Sequence, residues 1–253
     1  MISFPNAKIN LGLNVIEKRS DGYHNIESIF YPVDLCDALE IIDSEDGKTH
    51  FVQTGLMFEG DAEDNLVMKA YRLLERDFTL PPLNIYLQKQ IPFGAGLGGG
   101  SSDAAFMLKM LNEYADLHLS FEQLESYATR LGADCAFFIH NKPALVEGIG
   151  NVLTHIDFSL YDYKIHIEKP EVGVSTREAY SRIKPRKREL SHLDIIRMPV
   201  IEWKHLLFND FEDALFDSFP EIKQLKQAFY EKGALYASMS GSGSAVFGIF
   251  DKD

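Results

Sequence analysis

The sequence has little of several features that mark whole classes of protein. Its 253 residues include two cysteines, Cys36 and Cys135, which lack the paired spacing of a metal site. Reduced thiols in a cytoplasmic protein are therefore expected. No apolar run is long enough to span a bilayer. The first residues show no basic segment followed by an apolar stretch, so we expect no secretory signal.

Positive charge is also scarce. The 25 lysines and arginines are outnumbered by 38 aspartates and glutamates, which leaves a formal net charge of −13. This balance disfavours a general binder of nucleic acid or of membrane surfaces, so neither partner is expected. An acidic protein that binds phosphates must reverse its potential locally. A loop of backbone N–H groups with one or two lysines could do so.

The stretch from Pro92 to Asp103 offers such a loop, because residues 94–100 include five glycines. Residues 83–87 alternate between apolar and polar, which predicts a strand before the loop, and apolar residues recur at helical spacing after it. Ser102 and Asp103 are good N-cap types for that helix. Glycine lets backbone N–H groups approach a ligand, and a helix start attracts anions. The stretch therefore predicts a phosphate site.

Two common phosphate motifs do not fit this loop. The P-loop needs a lysine just before its terminal hydroxyl, but here Gly100 precedes Ser101. The dinucleotide fingerprint is formally met by Gly94, Gly96 and Gly99. It also expects a second parallel strand with an acidic residue about 20 residues later. The sequence predicts another helix there, at residues 121–131.

Read as P-x-G-x-G-L-G-G-G-S-S, the stretch Pro92–Ser102 resembles the phosphate loop of the GHMP kinases, a superfamily that includes galactokinase, homoserine kinase and mevalonate kinase. Three further parts of the chain resemble that family in the same order: residues 7–11 with 21–24, residues 131–134 and residues 239–244. The Lys-x-Asn and Asp-Gly-Tyr-His motifs point to the branch whose acceptor alcohol carries a cytidine diphosphate.

The resemblance implies an α+β (mixed α/β), two-domain GHMP-kinase fold with the active-site cleft between the domains. We expect an N-terminal ATP-binding domain at 1–148 and a C-terminal domain at 149–253. The implied reaction transfers the γ-phosphoryl group of ATP to a hydroxyl of a small-molecule substrate. Mg²⁺ is expected to bridge the ATP phosphates. No carboxylate is dedicated to the metal, and Ser102 is the one candidate ligand.

The resemblance also implies roles for individual residues. Asp134 would accept the hydroxyl proton late in the transfer, and Lys8 would lie beside it and steady the phosphoryl group. Asn65 would read the adenine amino group, although capping a helix explains it equally well. The residues predicted to hold ATP are Pro92, Phe93, Gly94, Ala95, Gly96, Leu97, Gly98, Gly99, Gly100, Ser101, Ser102 and Asn65.

A second set would bind the acceptor. Tyr23 would stack on the cytosine, His24 would read the edge of the base, and Tyr180 would form the second aromatic wall. Asn10 would hydrogen-bond the polar groups of the acceptor. The predicted substrate-binding residues are Asn10, Tyr23, His24, Thr176, Tyr180, Ser240, Gly241 and Ser242.

Two other functions stay open at this point. One is a GHMP kinase for a different alcohol, of the homoserine or mevalonate type. The other is a protein that binds a nucleotide without turnover. The Tyr23-His24 pair favours a cytidine-bearing acceptor, and the presence of both Lys8 and Asp134 favours catalysis.

Overall fold

The computed structural model describes residues 1–57 and 60–252 and mixes helices with strands throughout. Its strands are β1 (Ile2–Ser3), β2 (Asn6–Lys18), β3 (His24–Cys36), β4 (Ala38–Asp43), β5 (His50–Gly55), β6 (Leu83–Lys89), β7 (Ala144–Glu147), β8 (Val152–His155), β9 (Tyr163–Glu168), β10 (Tyr236–Met239) and β11 (Val246–Asp251). Its α-helices are α1 (Leu66–Glu75), α2 (Gly99–Tyr114), α3 (Phe121–Leu131), α4 (Cys135–His140), α5 (Thr176–Arg182), α6 (His192–Ile195), α7 (Val200–Leu206), α8 (Asp210–Leu215) and α9 (Pro220–Glu231). Among the described residues, no helix combines the length and apolarity needed to cross a membrane.

The chain forms two compact units, and each unit is built from several segments. Unit 1 comprises Met1–Ala7, Asp34–Phe93 and Gly98–Asn141. Unit 2 comprises Lys8–Val33, Gly94–Leu97 and Lys142–Asp253. The expected domain boundary after residue 148 stays a prediction.

Unit 1 combines a four-stranded sheet with the helices α1 to α4. The strand order is β1-β4-β6-β5, and only the β5–β6 pair is parallel. Alternate residues of β4 and β6 pair in register, with Leu39 opposite Leu87 and Ile41 opposite Ile85, and all four are buried. The period-2 pattern that predicts β6 therefore reports one buried sheet face. Helix α2 packs against α1, α3 and α4.

The helices of unit 1 begin in two different ways. The predicted helix at 121–131 is confirmed as α3, and Ser120 and Gln123 form a capping box at its start. Helix α2 departs from the expectation that Ser102 or Asp103 caps it. It begins at Gly99 after Gly98, whose φ of 70° is left-handed. Glycine adopts this conformation without strain, so the helix starts inside the loop and both residues lie within it.

Unit 2 contains two sheets and the helices α5 to α9. The sheets have the orders β2-β3-β7-β8 and β10-β11-β9. Strand β11 is antiparallel to both of its neighbours, and β7 is antiparallel to β3 and to β8. A core of buried apolar side chains joins β2, β3, β10, β11 and the helices α5, α8 and α9. This core includes Leu13, Phe211 and Leu215.

The core of unit 2 generates a stability prediction. Leu215 is 0% exposed, so Leu215→Ala should lower the free energy of unfolding by about 2–5 kcal/mol through lost apolar contact and a residual cavity. Leu190, which is 42% exposed, provides the matched control, and Leu190→Ala should stay within about 0.5 kcal/mol. Denaturant unfolding measures both changes. Equal losses in the two variants would show that Leu215 does not belong to a packed core.

Candidate active site

Left-handed backbone conformations shape the glycine-rich loop, residues 94–100. Gly94, Gly96 and Gly98 have φ angles of 58°, 77° and 70°. A β-carbon on Gly96 would lie 2.0 Å from the carbonyl oxygen of Ser240. The Ser240 hydroxyl donates a hydrogen bond to the Gly96 carbonyl at 2.9 Å. Position 96 therefore has no room for a side chain. Within unit 2, the glycine-rich loop contacts the motif at residues 239–244.

The first turn of α2 presents backbone N–H groups of the kind that suit an anion. The N–H of Ser102 donates to the Gly98 carbonyl at 2.9 Å and closes the first helical hydrogen bond. The preceding N–H groups, from Gly99 to Ser101, have no partner inside the helix, as at any helix start. They carry the positive end of the helix dipole. This geometry suits a phosphate oxygen.

A buried ion triad lies against this helix start. The Lys89 side chain is 1% exposed and donates hydrogen bonds to the carboxylates of Asp37 and Asp103, the latter at 2.8 Å. Asp37 also accepts the N–H of Ile91 at 2.8 Å. A β-carbon on Gly99 would lie 2.8 Å from the Lys89 ammonium nitrogen. Because Lys89 precedes the glycine-rich loop and Asp103 follows it, their ion pair joins the two ends of the loop.

The charge of this triad depends on Asp103. Burial raises the pKa of Asp103 to about 7, although the Lys89 ammonium favours the ionised form and Asp37 opposes it. One ammonium between two ionised carboxylates leaves a net negative charge. A proton on Asp103 removes it. The ionisation of Asp103 therefore changes the charge next to the N-terminal end of α2.

Lys89 is absent from the predicted site residues, although the sequence carries a signal for it. Leu83, Ile85 and Leu87 point inward along β6, and Lys89 continues that series just before the loop. A lysine at an inward strand position requires buried carboxylates as partners. The inward position of Lys89 predicts that it has buried acidic partners. The structure shows that these are Asp37 and Asp103.

Two buried oxygen atoms follow the loop in α2. Ser102 Oγ and Asp103 Oδ1 have no hydrogen-bond partner among the residues that the structure describes. Buried polar atoms are normally paired, so both point to a water or a ligand outside the chain. Hydroxyl and carboxylate oxygens are the donor type that Mg²⁺ prefers. The residues present therefore fit the expected metal.

Asp134 and Asn65 both stand at helix N-termini but use their side chains differently. Asp134 is the N-cap residue of α4, and its side chain makes no capping hydrogen bond. Asn65 caps α1, since its Oδ1 accepts the N–H of Val67 at 2.9 Å. Its amide group donates to Gln53 at 3.2 Å. The capping role of Asn65 is therefore observed, and its contact with adenine stays a prediction.

A chain of buried polar groups extends from Lys8 along one end of β2. Lys8 and Asn10 are 3% and 1% exposed, and the Lys8 ammonium donates to the Asn10 side-chain oxygen at 2.7 Å. The Asn10 amide group donates to Ser28 at 2.9 Å, and its backbone N–H donates to the Ser240 hydroxyl at 3.3 Å. The Lys8 ammonium also lies 4.2 Å from the centre of the Phe30 ring. These contacts orient Asn10 and bring it together with Ser240.

Aromatic side chains gather near the turn after β2. Tyr23 is 62% exposed. The ring of His24 stacks on Tyr180 with 5.0 Å between centroids, and Phe211 meets Tyr180 edge-on at 4.9 Å. Burial, and then the charge of Lys18, lowers the pKa of His24, so the imidazole is neutral at pH 7. A neutral imidazole offers one donor and one acceptor, as reading a base edge requires.

The predicted serine–glycine loop after β10 is held by side-chain hydrogen bonds. The hydroxyls of Thr176 and Ser242 lie 3.1 Å apart. Asn209, which is buried and not among the predicted residues, donates to the carbonyls of Met239 and Gly241, each at 2.8 Å. Asn209 also caps α8. One buried amide thus links a helix start to this loop.

The predicted site residues are divided between the two units. Unit 1 contains Asn65, Pro92, Phe93, Gly98, Gly99, Gly100, Ser101, Ser102 and Asp134. Unit 2 contains Lys8, Asn10, Tyr23, His24, Gly94, Ala95, Gly96, Leu97, Thr176, Tyr180, Ser240, Gly241 and Ser242. The expected pairing of Lys8 with Asp134 joins residues of different units and stays a prediction.

Comparison with known proteins identifies the family. Residues 65–142 match the description "GHMP kinases N terminal domain", and residues 195–253 match "GHMP kinases C terminal". A 4-diphosphocytidyl-2-C-methyl-D-erythritol kinase of Bacteroides fragilis is 60% identical over 255 residues, which cover 100% of this chain and 93% of that protein. The chain belongs to the GHMP kinase family.

Solved structures agree with this GHMP kinase assignment. A crystal structure of 4-(cytidine 5'-diphospho)-2C-methyl-D-erythritol kinase matches with a TM-score of 0.85 and 32% identity, covering 98% of this chain and 90% of that one. The mevalonate kinase of Methanococcus jannaschii matches with a TM-score of 0.72 over 99% and 90% of the two chains. At 13% identity, the second likeness shows the fold alone. The predicted mixed α/β GHMP-kinase fold is confirmed.

The ion triad generates a prediction for stability. Lys89→Met leaves two carboxylates buried without a cation, so the free energy of unfolding should fall by about 3–5 kcal/mol at neutral pH. Lys48→Met removes an exposed lysine of the same unit and should change it by about 0.5 kcal/mol at most. Adding Asp37→Asn and Asp103→Asn to Lys89→Met should recover part of the loss. Chemical denaturation that found Lys89→Met no worse than Lys48→Met would contradict the buried triad.

Proposed function

We propose that this chain transfers the γ-phosphoryl group of ATP to the 2-hydroxyl of 4-diphosphocytidyl-2-C-methyl-D-erythritol. The observation that carries the proposal is the aromatic group of unit 2, in which exposed Tyr23 adjoins the neutral His24 stacked on Tyr180. Such a group suits a pyrimidine base. Homoserine and mevalonate carry no base that could stack on these rings. The full-length relative of Bacteroides fragilis carries the name of this enzyme.

The phosphates of ATP would bind to the glycine-rich loop and the start of α2. The left-handed residues Gly94, Gly96 and Gly98 allow the backbone to approach them, and the N–H groups of the first helical turn donate to them. Mg²⁺, when bound, would neutralise charge on the phosphate oxygens, and Ser102 would hold it. The protein contributes position and positive potential to the reaction, and phosphoryl transfer depends mainly on these two.

The acceptor hydroxyl would meet Lys8, Asn10 and Asp134. Asn10 is held by Lys8 and Ser28, so its polar atoms are oriented before substrate binds. Asp134 would take the hydroxyl proton late, as bond formation to phosphorus acidifies that oxygen. Lys8 would place positive charge near the phosphoryl group while it is being transferred.

A substrate panel tests the proposed function. Purified protein with ATP and Mg²⁺ should release ADP with 4-diphosphocytidyl-2-C-methyl-D-erythritol and not with homoserine or mevalonate. Turnover of homoserine or mevalonate instead would move the chain to another branch of the family. Nucleotide binding without turnover of any of the three would indicate a binding protein.

Removal of the proposed base provides a sharper test of the mechanism. Asp134→Asn should lower kcat by about 10²–10⁴-fold, because the proton of the hydroxyl loses its acceptor, while ATP binding stays nearly intact. Asp116→Asn is a matched control, since Asp116 is exposed and its φ of 52° suits asparagine. Steady-state kinetics and nucleotide titration separate the two effects. Normal turnover by Asp134→Asn would overturn the base assignment.

The cytosine contact predicts a change confined to the acceptor. Tyr23→Ala should raise the KM for the acceptor by about 5–150-fold, because base stacking contributes about 1–3 kcal/mol. Tyr23→Phe keeps the ring and should stay close to the parent. Tyr161→Ala, at a tyrosine that is 78% exposed, controls for loss of a surface ring. An unchanged acceptor KM in Tyr23→Ala would remove Tyr23 from the base site.

A further inference from the structure

The positive charge of unit 1 is concentrated at one place. The segments of unit 1 contain 18 aspartates and glutamates and only seven lysines and arginines. Those seven are Lys48, Lys69, Arg72, Arg76, Lys89, Lys109 and Arg130. Lys89 belongs to the buried triad, and Lys109 donates to the Phe138 carbonyl from a half-buried position. Four of the remaining five line a single pocket.

This pocket lies where α1 packs against the end of α3. It has a volume of about 490 Å³ and is lined by Glu63, Lys69, Arg72, Leu73, Arg76, Arg130 and Leu131. Lys69 and Arg72 lie three residues apart on α1, and Arg76, the C-cap residue, continues the same face four residues later. Arg130 stands in the last turn of α3. The lining therefore has four cations and one carboxylate, and two further carboxylates, Asp64 and Glu75, pair with Lys69 and Arg72.

Two of these cations form no ion pair with the described residues, although the Arg130 guanidinium lies 5.5 Å from the centre of the Tyr127 ring. Arg72 is paired with Glu63 at 2.8 Å and with Glu75 at 2.9 Å. Lys69 lies 3.6 Å from Asp64. Arg76 and Arg130 make no ion pair with any residue in the described parts of the chain. Their two guanidinium groups are available to a ligand, and guanidinium matches the geometry of phosphate oxygens.

We propose that this pocket binds a small anion that carries two or more phosphate groups, with Arg76 and Arg130 as its main ligands. The volume exceeds what one phosphate needs, and two guanidinium groups without an ion pair favour a ligand with more than one negative charge. Arg72 and Lys69 add charge at one side, and Leu73 and Leu131 form an apolar floor. No residue of the glycine-rich loop lines the pocket, but Glu63 and Leu131 lie two residues from Asn65 and three from Asp134, so the experiment must distinguish this pocket from the proposed nucleotide site.

A plainer role for the two arginines is helix stabilisation. Arg76 is the C-cap residue of α1 and Arg130 lies in the last turn of α3, where a cation complements the helix dipole. That role affects melting temperature and is indifferent to added anions. The ligand role makes anion binding depend on Arg76 and Arg130 while the fold stays intact.

The experiment is a calorimetric titration with inorganic pyrophosphate. It is run on the protein alone and on the protein saturated with a non-hydrolysable ATP analogue, which occupies the nucleotide site. Pyrophosphate should bind in both cases. Arg76→Ala and Arg130→Ala should each weaken pyrophosphate binding to the analogue-saturated protein by about tenfold or more, the usual effect of losing a charge-assisted hydrogen bond. Lys48→Ala removes the same charge from an exposed position outside the pocket and should weaken it far less.

Three results would overturn the site. The first is pyrophosphate binding that disappears when the analogue is bound, which would assign it to the nucleotide site. The second is an equal loss in Arg76→Ala, Arg130→Ala and Lys48→Ala, which would indicate a diffuse effect of net charge. The third is equally tight binding of malonate, which would remove the preference for phosphate. Melting temperatures and circular dichroism check that each variant is folded.

Discussion

The Lys89 ammonium lies between two carboxylates in the interior of unit 1, beside the first residue of α2. It connects three parts of the chain: the end of β6, the link between β3 and β4 at Asp37, and α2 at Asp103. Two buried carboxylates without this cation would be strongly unfavourable, so the three segments are held together. The glycine-rich loop begins and ends next to this triad, so the helix start proposed to bind phosphate lies beside the charge of the triad.

A second constraint acts on the middle of the loop within unit 2. Ser240 leaves no space for a side chain at Gly96 and donates a hydrogen bond to its carbonyl. Ser240 also accepts the N–H of Asn10, which is hydrogen-bonded to Lys8, and Asn209 holds the backbone on either side of Ser240. Residues proposed for catalysis and for acceptor binding therefore share one hydrogen-bond network with the loop. A substitution of Ser240 would therefore alter both the position of Asn10 and the conformation of the loop at Gly96.

Much of this arrangement could be predicted from the sequence, because local pattern carries it. The alternation along β6, the capping box of α3 and the glycines of the loop each depend on residues close together in the chain. The start of α2 is not predictable from its capping residues. Gly98 begins the helix through its left-handed backbone conformation, and Ser102, a more usual capping residue, lies inside the helix. The partners of Lys89 are 52 and 14 residues away, and those of Asn209 are 30 and 32 residues away. No local sequence pattern predicts which residues these partners are.

The charge balance beneath α2 can be measured directly through nucleotide affinity. The dissociation constant of a non-hydrolysable ATP analogue would be determined without Mg²⁺, so that metal binding near Ser102 and Asp103 does not contribute, between about pH 6 and pH 8 for the parent and for Asp103→Asn. The ionisation of the analogue is common to both proteins, so the ratio of the constants isolates Asp103. With the pKa of Asp103 near 7, the parent should bind progressively more weakly than Asp103→Asn as pH rises through that value. A ratio that stays constant across this range would show that the ionisation of Asp103 does not control nucleotide affinity.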